Sequence, residues 1–257
     1  YLPNLKCLNL SHSQNLIEMP DLSGVPHLRR INLKGCTKIV RIDPSIGILR
    51  ELVYLNLKNC KNLFLNLNII FGLSSLVDLN LSGCSKLLNN RLLQKPRETE
   101  HMEKIDENRS SIQLSTSSVY EMLMLPFYFF PSWKQEDSLG LLVPCLSRFP
   151  CLFHLDLSFC NLLQIPDAIG NLHSLVGLNL GGNKFVTLPT TIKKLLKLQR
   201  LNLEHCKQLK YLPELATPKK RKNDTYYGEL NIFNCPNLSE MELIYRMVFS
   251  WMIQFFE

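Results

Sequence analysis

The sequence predicts an α/β fold, a leucine-rich repeat solenoid with a parallel sheet on its concave side and short helical or 3₁₀ turns on its convex side. Three observations predict it. One phrase, Leu-x-x-Leu-x-Leu-x-x-Cys with small variations, recurs eight times. Its copies keep register, with spacings of 23, 24, 24, 76, 23, 23 and 29 residues. Several copies continue into an apolar-Pro step and then apolar residues at every third position. A phrase of this kind at a period of roughly 20–29 residues marks leucine-rich repeats. No single copy can bury its apolar face alone. Stacked neighbours do so together, and stability becomes a nearest-neighbour sum.

The copies run Leu5-Leu8-Leu10-Ser13, Leu28-Ile31-Leu33-Cys36, Leu52-Leu55-Leu57-Cys60 and Leu76-Leu79-Leu81-Cys84. They resume as Leu152-Leu155-Leu157-Cys160, Leu175-Leu178-Leu180-Asn183, Leu198-Leu201-Leu203-Cys206 and Tyr227-Leu230-Ile232-Cys235. Residues two apart, such as Leu8 and Leu10, share one strand face and enter the core. Their neighbours, such as Cys7, Asn9 and Ser11, face outward. The closing Cys or Asn is placed to meet backbone groups of the turn that would otherwise be buried unpaired. A further apolar position follows at Leu16, Ile39, Leu63, Leu87, Leu163, Val186, Leu209 and Leu238. The steps Met19-Pro20, Ile165-Pro166, Leu188-Pro189 and Leu212-Pro213 suit an irregular turn, because Pro cannot donate to a ladder. The runs Pro166-Ile169-Leu172-Leu175 and Pro189-Ile192-Leu195-Leu198 fit a short helix or 3₁₀ turn with one buried edge. Between the two core leucines stand Asn9, Asn32, Asn56, Asn80, Asn179, Asn202 and Asn231, with Asp156 in one copy. Stacked at a strand spacing of about 4.8 Å, they predict a side-chain amide ladder that Asp156 interrupts.

The register divides the chain into an N-terminal repeat block (1–84), an irregular insert or degenerate repeat (85–140), a C-terminal repeat block (141–240) and a cap or start of a following region (241–257). The polar stretch 95–118 reads as an exposed insert. The aromatics Phe127, Tyr128, Phe129, Phe130 and Trp133 read as packing at the break or as a partner contact. Residues 241–257 are mostly apolar, but too short for a membrane span and interrupted by Glu242 and Arg246.

Composition narrows the function. The net charge is +7, and part of the excess lies in Lys219, Lys220, Arg221 and Lys222. That run reads as a solvated loop or a short nuclear-import signal. Aromatics are not interleaved with it, which argues against nucleic acid. Six of the nine Cys occupy one repeat slot, as buried thiols in a reducing compartment would. No C-x-x-C pair is present, which argues against zinc. The six His are scattered and none joins a nucleophile motif, so no enzyme is predicted. The chain starts at Tyr1, inside a repeat, and reads as a piece of a longer protein. Because the leucines are committed to the core, partner contact falls to variable outward positions. These are Arg30, Lys34, Tyr54, Lys58 and Asp78 before the insert and His154, Phe159, Arg200, Glu204 and His205 after it. Arg30, Lys34 and Lys58 predict a basic stripe suited to an acidic partner.

The phrases Leu76-Val-Asp-Leu-Asn-Leu-Ser-Gly-Cys-Ser-Lys-Leu87 and Leu198-Gln-Arg-Leu-Asn-Leu-Glu-His-Cys-Lys-Gln-Leu209 resemble the plant intracellular immune receptors. These join a Toll/interleukin-receptor (TIR) domain, a nucleotide-binding NB-ARC domain and leucine-rich repeats. Phe249-Ser-Trp-Met-Ile253 is similar to the start of the region after the repeats in TIR-type members. The resemblance implies a sensor and autoinhibitory role in defence. Partners would be a pathogen effector, a guarded host protein or other domains of the same receptor, in the cytoplasm and, through the basic run, the nucleus. It implies no cofactor here: ADP or ATP would belong to an NB-ARC domain and NAD hydrolysis to a TIR domain. The chain itself carries no G-x-x-x-x-G-K-[ST] phosphate loop. Two other classes remain. A secreted receptor ectodomain would show Asn in the slot and a Gly-x-Ile-Pro phrase. A substrate-recognition repeat of a ubiquitin ligase shares the Cys slot but lacks the Leu-Pro steps.

Overall fold

The computed structural model describes residues 2–65, 67–70, 72–86, 149–216, 228–239 and 245. All lie in one compact unit made of residues 1–89 and 138–257. Among them, eight three-residue strands form one parallel sheet in chain order. They are β1 (Cys7–Asn9), β2 (Arg30–Asn32), β3 (Tyr54–Asn56), β4 (Asp78–Asn80), β5 (His154–Asp156), β6 (Gly177–Asn179), β7 (Arg200–Asn202) and β8 (Glu229–Asn231). Each phrase has become one strand, as predicted. Leu8, Ile31, Leu55, Leu79, Leu155, Leu178, Leu201 and Leu230 stand in one inward row, partner against partner. Leu55, Leu57 and Leu180 are fully buried in the single core that runs through the stack. At β1 and β8 the row is only half-buried, because each has a neighbour on one side among the described strands.

The slot works as the sequence suggests. The thiols of Cys36, Cys60, Cys84, Cys160, Cys206 and Cys235 donate to the carbonyls of Leu10, Leu33, Leu57, Leu81, Leu180 and Leu203 in the preceding copy, at 3.0–3.4 Å. All six are free thiols. Asn183 takes the same place with its amide, donating to the Leu157 carbonyl at 2.9 Å. Each slot side chain thus brings a donor from the next copy to a carbonyl; those of Leu10, Leu33, Leu57, Leu81 and Leu203 also accept the amide three residues on in their own copy.

The next apolar position needs correction in two copies. Leu163 and Val186, set in this apolar row, are 66% and 42% exposed, while Leu162 and Phe185 are buried. Ile39, Leu63 and Leu209 follow the slot by three residues, and their amides close a turn onto the slot carbonyl. Leu162 and Phe185 follow it by two. Here the Asn183 side-chain oxygen Oδ1 accepts from the backbone amides of both Cys160 and Leu162, in place of the i-to-i+3 turn bonds of the other copies. Asn161 is left-handed there, with φ 58°.

Opposite the sheet, 3₁₀ turns span Pro44–Ile48, Leu67–Ile70, Asp167–Asn171 and Thr190–Lys194. The last two follow Pro166 and Pro189, whose fixed φ presets the entry. Met19-Pro20 leads to no 3₁₀ turn. Asp21 instead binds the Ser23 amide at 2.8 Å, and that bond holds its carboxyl below the usual range. Several sequence readings lie outside the described residues: Leu87, the insert core, the aromatics 127–133, Lys219, Lys220, Arg221 and Lys222, and residues 241–257 apart from Tyr245.

Candidate partner-binding face

The outward side of the sheet is built of columns, because parallel register stacks equivalent residues. The first strand position gives Cys7, Arg30, Tyr54, Asp78, His154, Gly177, Arg200 and Glu229. Arg30 lies 4.4 Å over the Tyr54 ring, a cation–π contact that presents the guanidinium outward. Asp78 Oδ1 meets His154 Nδ1 at 2.9 Å, and His154 Nε2 meets Arg200 Nη2 at 2.9 Å. A carboxylate only accepts and a guanidinium only donates. His154 thus bridges the two, with Nδ1 turned to the carboxylate and Nε2 to the guanidinium. Arg200 reaches His154 across Gly177. A Cβ there would lie 3.0 Å from His154 Cδ2 and 3.7 Å from Arg200 Nε, so glycine keeps the passage open.

The asparagine column overturns the amide ladder. Every member turns its side-chain oxygen to the backbone amide two residues on. Asn9, Asn32, Asn56, Asn80, Asp156, Asn179, Asn202 and Asn231 accept from residues 11, 34, 58, 82, 158, 181, 204 and 233 at 2.8–3.1 Å. This local Asx turn captures the oxygen before a neighbouring copy can. It also explains why every strand stops after three residues. Within the column, among the described residues, one bond links neighbours, Asn80 Nδ2 to Asp156 Oδ2 at 3.3 Å. Asp156, expected to interrupt a ladder, supplies its sole rung.

The next outward column is Ser11, Lys34, Lys58, Ser82, Ser158, Gly181, Glu204 and Phe233. Lys34 and Lys58 stand half-buried on adjacent copies, and among the described residues neither ammonium has a carboxylate partner. Ser158 donates to Asp156 Oδ1 at 2.7 Å, so Ser82 donates to Ser158 at 2.8 Å. Glu204 faces His205 Nε2 at 3.1 Å and Asn231 Nδ2 at 3.5 Å.

The residue after each Asx turn is left-handed in all eight copies: His12, Gly35, Asn59, Gly83, Phe159, Gly182, His205 and Asn234. Sequence reasoning missed this column, although Gly, Asn and His there are the signal. From His12 to His205 side chain and glycine alternate for a reason. The ring of Phe159 covers Gly182, and a Cβ at Gly35 would sit 2.7 Å from His12 Nδ1. Phe159 and His205, proposed contacts, thus also have packing roles; His205 meets the Phe233 ring edge-on at 5.9 Å. A further missed cluster is Glu51 with His27 at 2.7 Å, Arg29 at 3.2 Å and Lys6 at 3.8 Å. His27 and then Arg29 lower the Glu51 carboxyl below its usual range.

The leucine-rich repeat family model matches residues 151–172. The chain is 30% identical to the disease resistance-like protein DSC1 of Arabidopsis thaliana, an alignment covering 82% of this chain and 23% of that protein. It is 33% identical to the disease resistance protein RPS6 of the same species, over 88% of this chain and 19% of the relative. Over 28% of the chain it is 43% identical to TMV resistance protein N of Nicotiana glutinosa, covering 6% of that protein. The chain thus spans less than a quarter of the length of these relatives. Among solved structures, the leucine-rich repeat domain of the type III effector XCV3220 (XopL) matches 92% of this chain and 62% of its own, with a TM-score of 0.57 at 21% identity, a likeness of fold. Among the described residues no helix is long and apolar enough to cross a membrane. Eight phrases building eight parallel strands, and relatives that align along most of this length, agree: the chain is a leucine-rich repeat region related to plant disease resistance proteins.

Proposed function

We propose that this repeat region is the sensing and autoinhibitory surface of its receptor. It contacts a pathogen effector or guarded host protein when engaged, and other domains of the same receptor at rest. Leucine-rich repeats are protein-interaction scaffolds. The observation that supports this surface is the group Arg30, Lys34 and Lys58 on β2, β3 and the turns after them. Lys34 and Lys58 are like charges on adjacent copies without a carboxylate between them. Such neighbours repel unless an outside anion joins them. Arg30 is held on Tyr54, and Tyr and Arg are favoured at binding hot spots. Asp78, His154, Phe159, Arg200, Glu204 and His205 extend the contact across the rest of the sheet. Any nucleotide or NAD chemistry belongs to other domains, and the reading places the receptor in the cytoplasm, with Lys219, Lys220, Arg221 and Lys222 as its nuclear-import signal.

The test is Arg30→Glu with Lys58→Glu in the full-length receptor, expressed in leaf tissue. The expected result is loss of co-precipitation with the effector or guarded protein, or cell death without any effector. Unchanged binding and an unchanged resting state, in a variant that melts like the parent, would overturn the reading.

A further inference from the structure

The charges of the sheet face are sorted by block. In the outward columns of β1–β4 the sole carboxylate is Asp78; in those of β5–β8 the sole guanidinium or ammonium is Arg200. These two are joined through His154, each within 2.9 Å of a ring nitrogen. With that pair set aside, the first block keeps the cations Arg30, Lys34 and Lys58. The second keeps the anions Asp156, Glu204 and Glu229. Asp156 is held by neutral donors, Asn80 and Ser158, and Glu204 by Asn231 and the imidazole of His205, so neither faces a lysine or arginine. Counted in, Asp78 and Arg200 lower the excess of each block by one charge and leave its sign unchanged. At about 4.8 Å per strand, the centres of the two groups stand roughly 20 Å apart along the stack.

We propose that the occupant of this face is one helix of a partner protein, acidic at one end and basic at the other, and that the sorted charges fix its direction. At 1.5 Å per residue, about fourteen residues of helix bridge the two groups. The proposal rests on the sheet face being the contact surface. Charge order then adds what a basic stripe alone lacks, a penalty for the reversed partner.

The probe is a pair of synthetic helical peptides of identical composition. One has its Glu and Lys residues sorted to opposite ends; the other has them interspersed. Each is titrated into the whole 257-residue chain. An acceptor dye goes on the exposed Cys7 of β1, in a background with Cys145 and the exposed Cys151 changed to Ser. The sorted peptide is expected to bind about tenfold more tightly, and a donor on its acidic end to transfer better than one on its basic end. In the variant Lys34→Glu, Lys58→Glu, Glu204→Lys and Glu229→Lys, whose net charge is unchanged, the end preference should reverse. If that variant does not fold, Lys34→Glu with Glu229→Lys should reduce the preference. Equal binding of both peptides with no end preference overturns the direction while leaving the contact surface standing. Binding of neither peptide at low ionic strength overturns both.

Discussion

The β1–β4 and β5–β8 halves build the same sheet from the same phrase, but the β5 and β6 copies close their turns differently from the copies of Cys36 and Cys60, whose three-residue turn returns at Cys206 and Cys235. In the first half Cys36 and Cys60 each donate one thiol hydrogen, and the residue three later folds back onto the slot carbonyl. In the second, Asn183 donates to Leu157 and Leu180 and accepts from Cys160 and Leu162. One side chain that both donates and accepts ties two copies at once and shortens the turn by a residue. The join between halves is braced differently again. Across β4 and β5, whose partners lie 76 residues apart, Asp78–His154, Asn80–Asp156 and Ser82–Ser158 bond in all three outward columns. A long excursion of chain therefore leaves the ladder uninterrupted.

The largest effect should come from the thiols acting together. Burial pushes Cys60 and Cys160 from 9.0 up to about 12 and Cys206 to about 11, and raises Cys36, Cys84 and Cys235 too. A raised folded pKa keeps its stabilisation in full below pH 9.0 and loses it as pH climbs through the folded value. Melting temperature should hold to about pH 9 and fall steeply from there to about 12. Cys60→Ser should flatten part of that fall. An unchanged slope would show the slot thiols to be wet. With iodoacetamide near neutral pH, Cys7 and Cys151 should react well before the slot thiols.

Next, Leu55→Ala and Leu178→Ala remove equivalent side chains from the two halves. Both are essentially fully buried, so each should cost about 2–5 kcal/mol by cavity formation, read from urea unfolding. Equal costs in one transition would show the halves unfolding as a unit. Two separated transitions would show the β4–β5 join to be the weak point despite its three bonds.

Asn183→Ala should cost about 2–3 kcal/mol, because it strands the buried amides of Cys160 and Leu162 and the carbonyl of Leu157. Asn183→Cys restores only the donor, so it should recover less than half. Full recovery would mean that the short turn does not depend on the amide oxygen.

The strands, the slot and the Pro-led turns were legible in the sequence because apolar spacing at two and three residues dictates them directly. Leu163 was misplaced because turn length there depends on a partner, Asn183, that lies a copy away; Val186 follows Asn183 within its own copy, where Asn replaces Cys in the slot. The asparagine column was legible as a position but not as a bond: strand spacing suggested neighbours, while the amide two residues on is nearer. The Asp78–His154–Arg200 chain was legible only as three outward residues, since its last link crosses Gly177, and a missing side chain leaves no mark in an apolar pattern.

The smallest effect concerns the left-handed column and asks whether both halves use glycine alike. Gly182 has φ 67° and lies beneath the Phe159 ring; Gly35 has φ 74° and lies beneath His12. Ala at either site meets two penalties, a left-handed backbone of about 1 kcal/mol and a ring that must move. A double-mutant cycle separates them. Phe159→Ala removes a half-exposed ring and should by itself cost little. In that background Gly182→Ala should keep only its backbone penalty, giving a coupling of about 0.5–1 kcal/mol with Phe159. His12→Ala with Gly35→Ala should couple less, because the His12 side chain is exposed at the end of the described sheet and can swing away. Equal coupling at both sites would make the ring-over-glycine pair a uniform stacking device. No coupling at Gly182 would leave the glycines explained by backbone conformation alone, with Phe159 free to act purely as a partner contact.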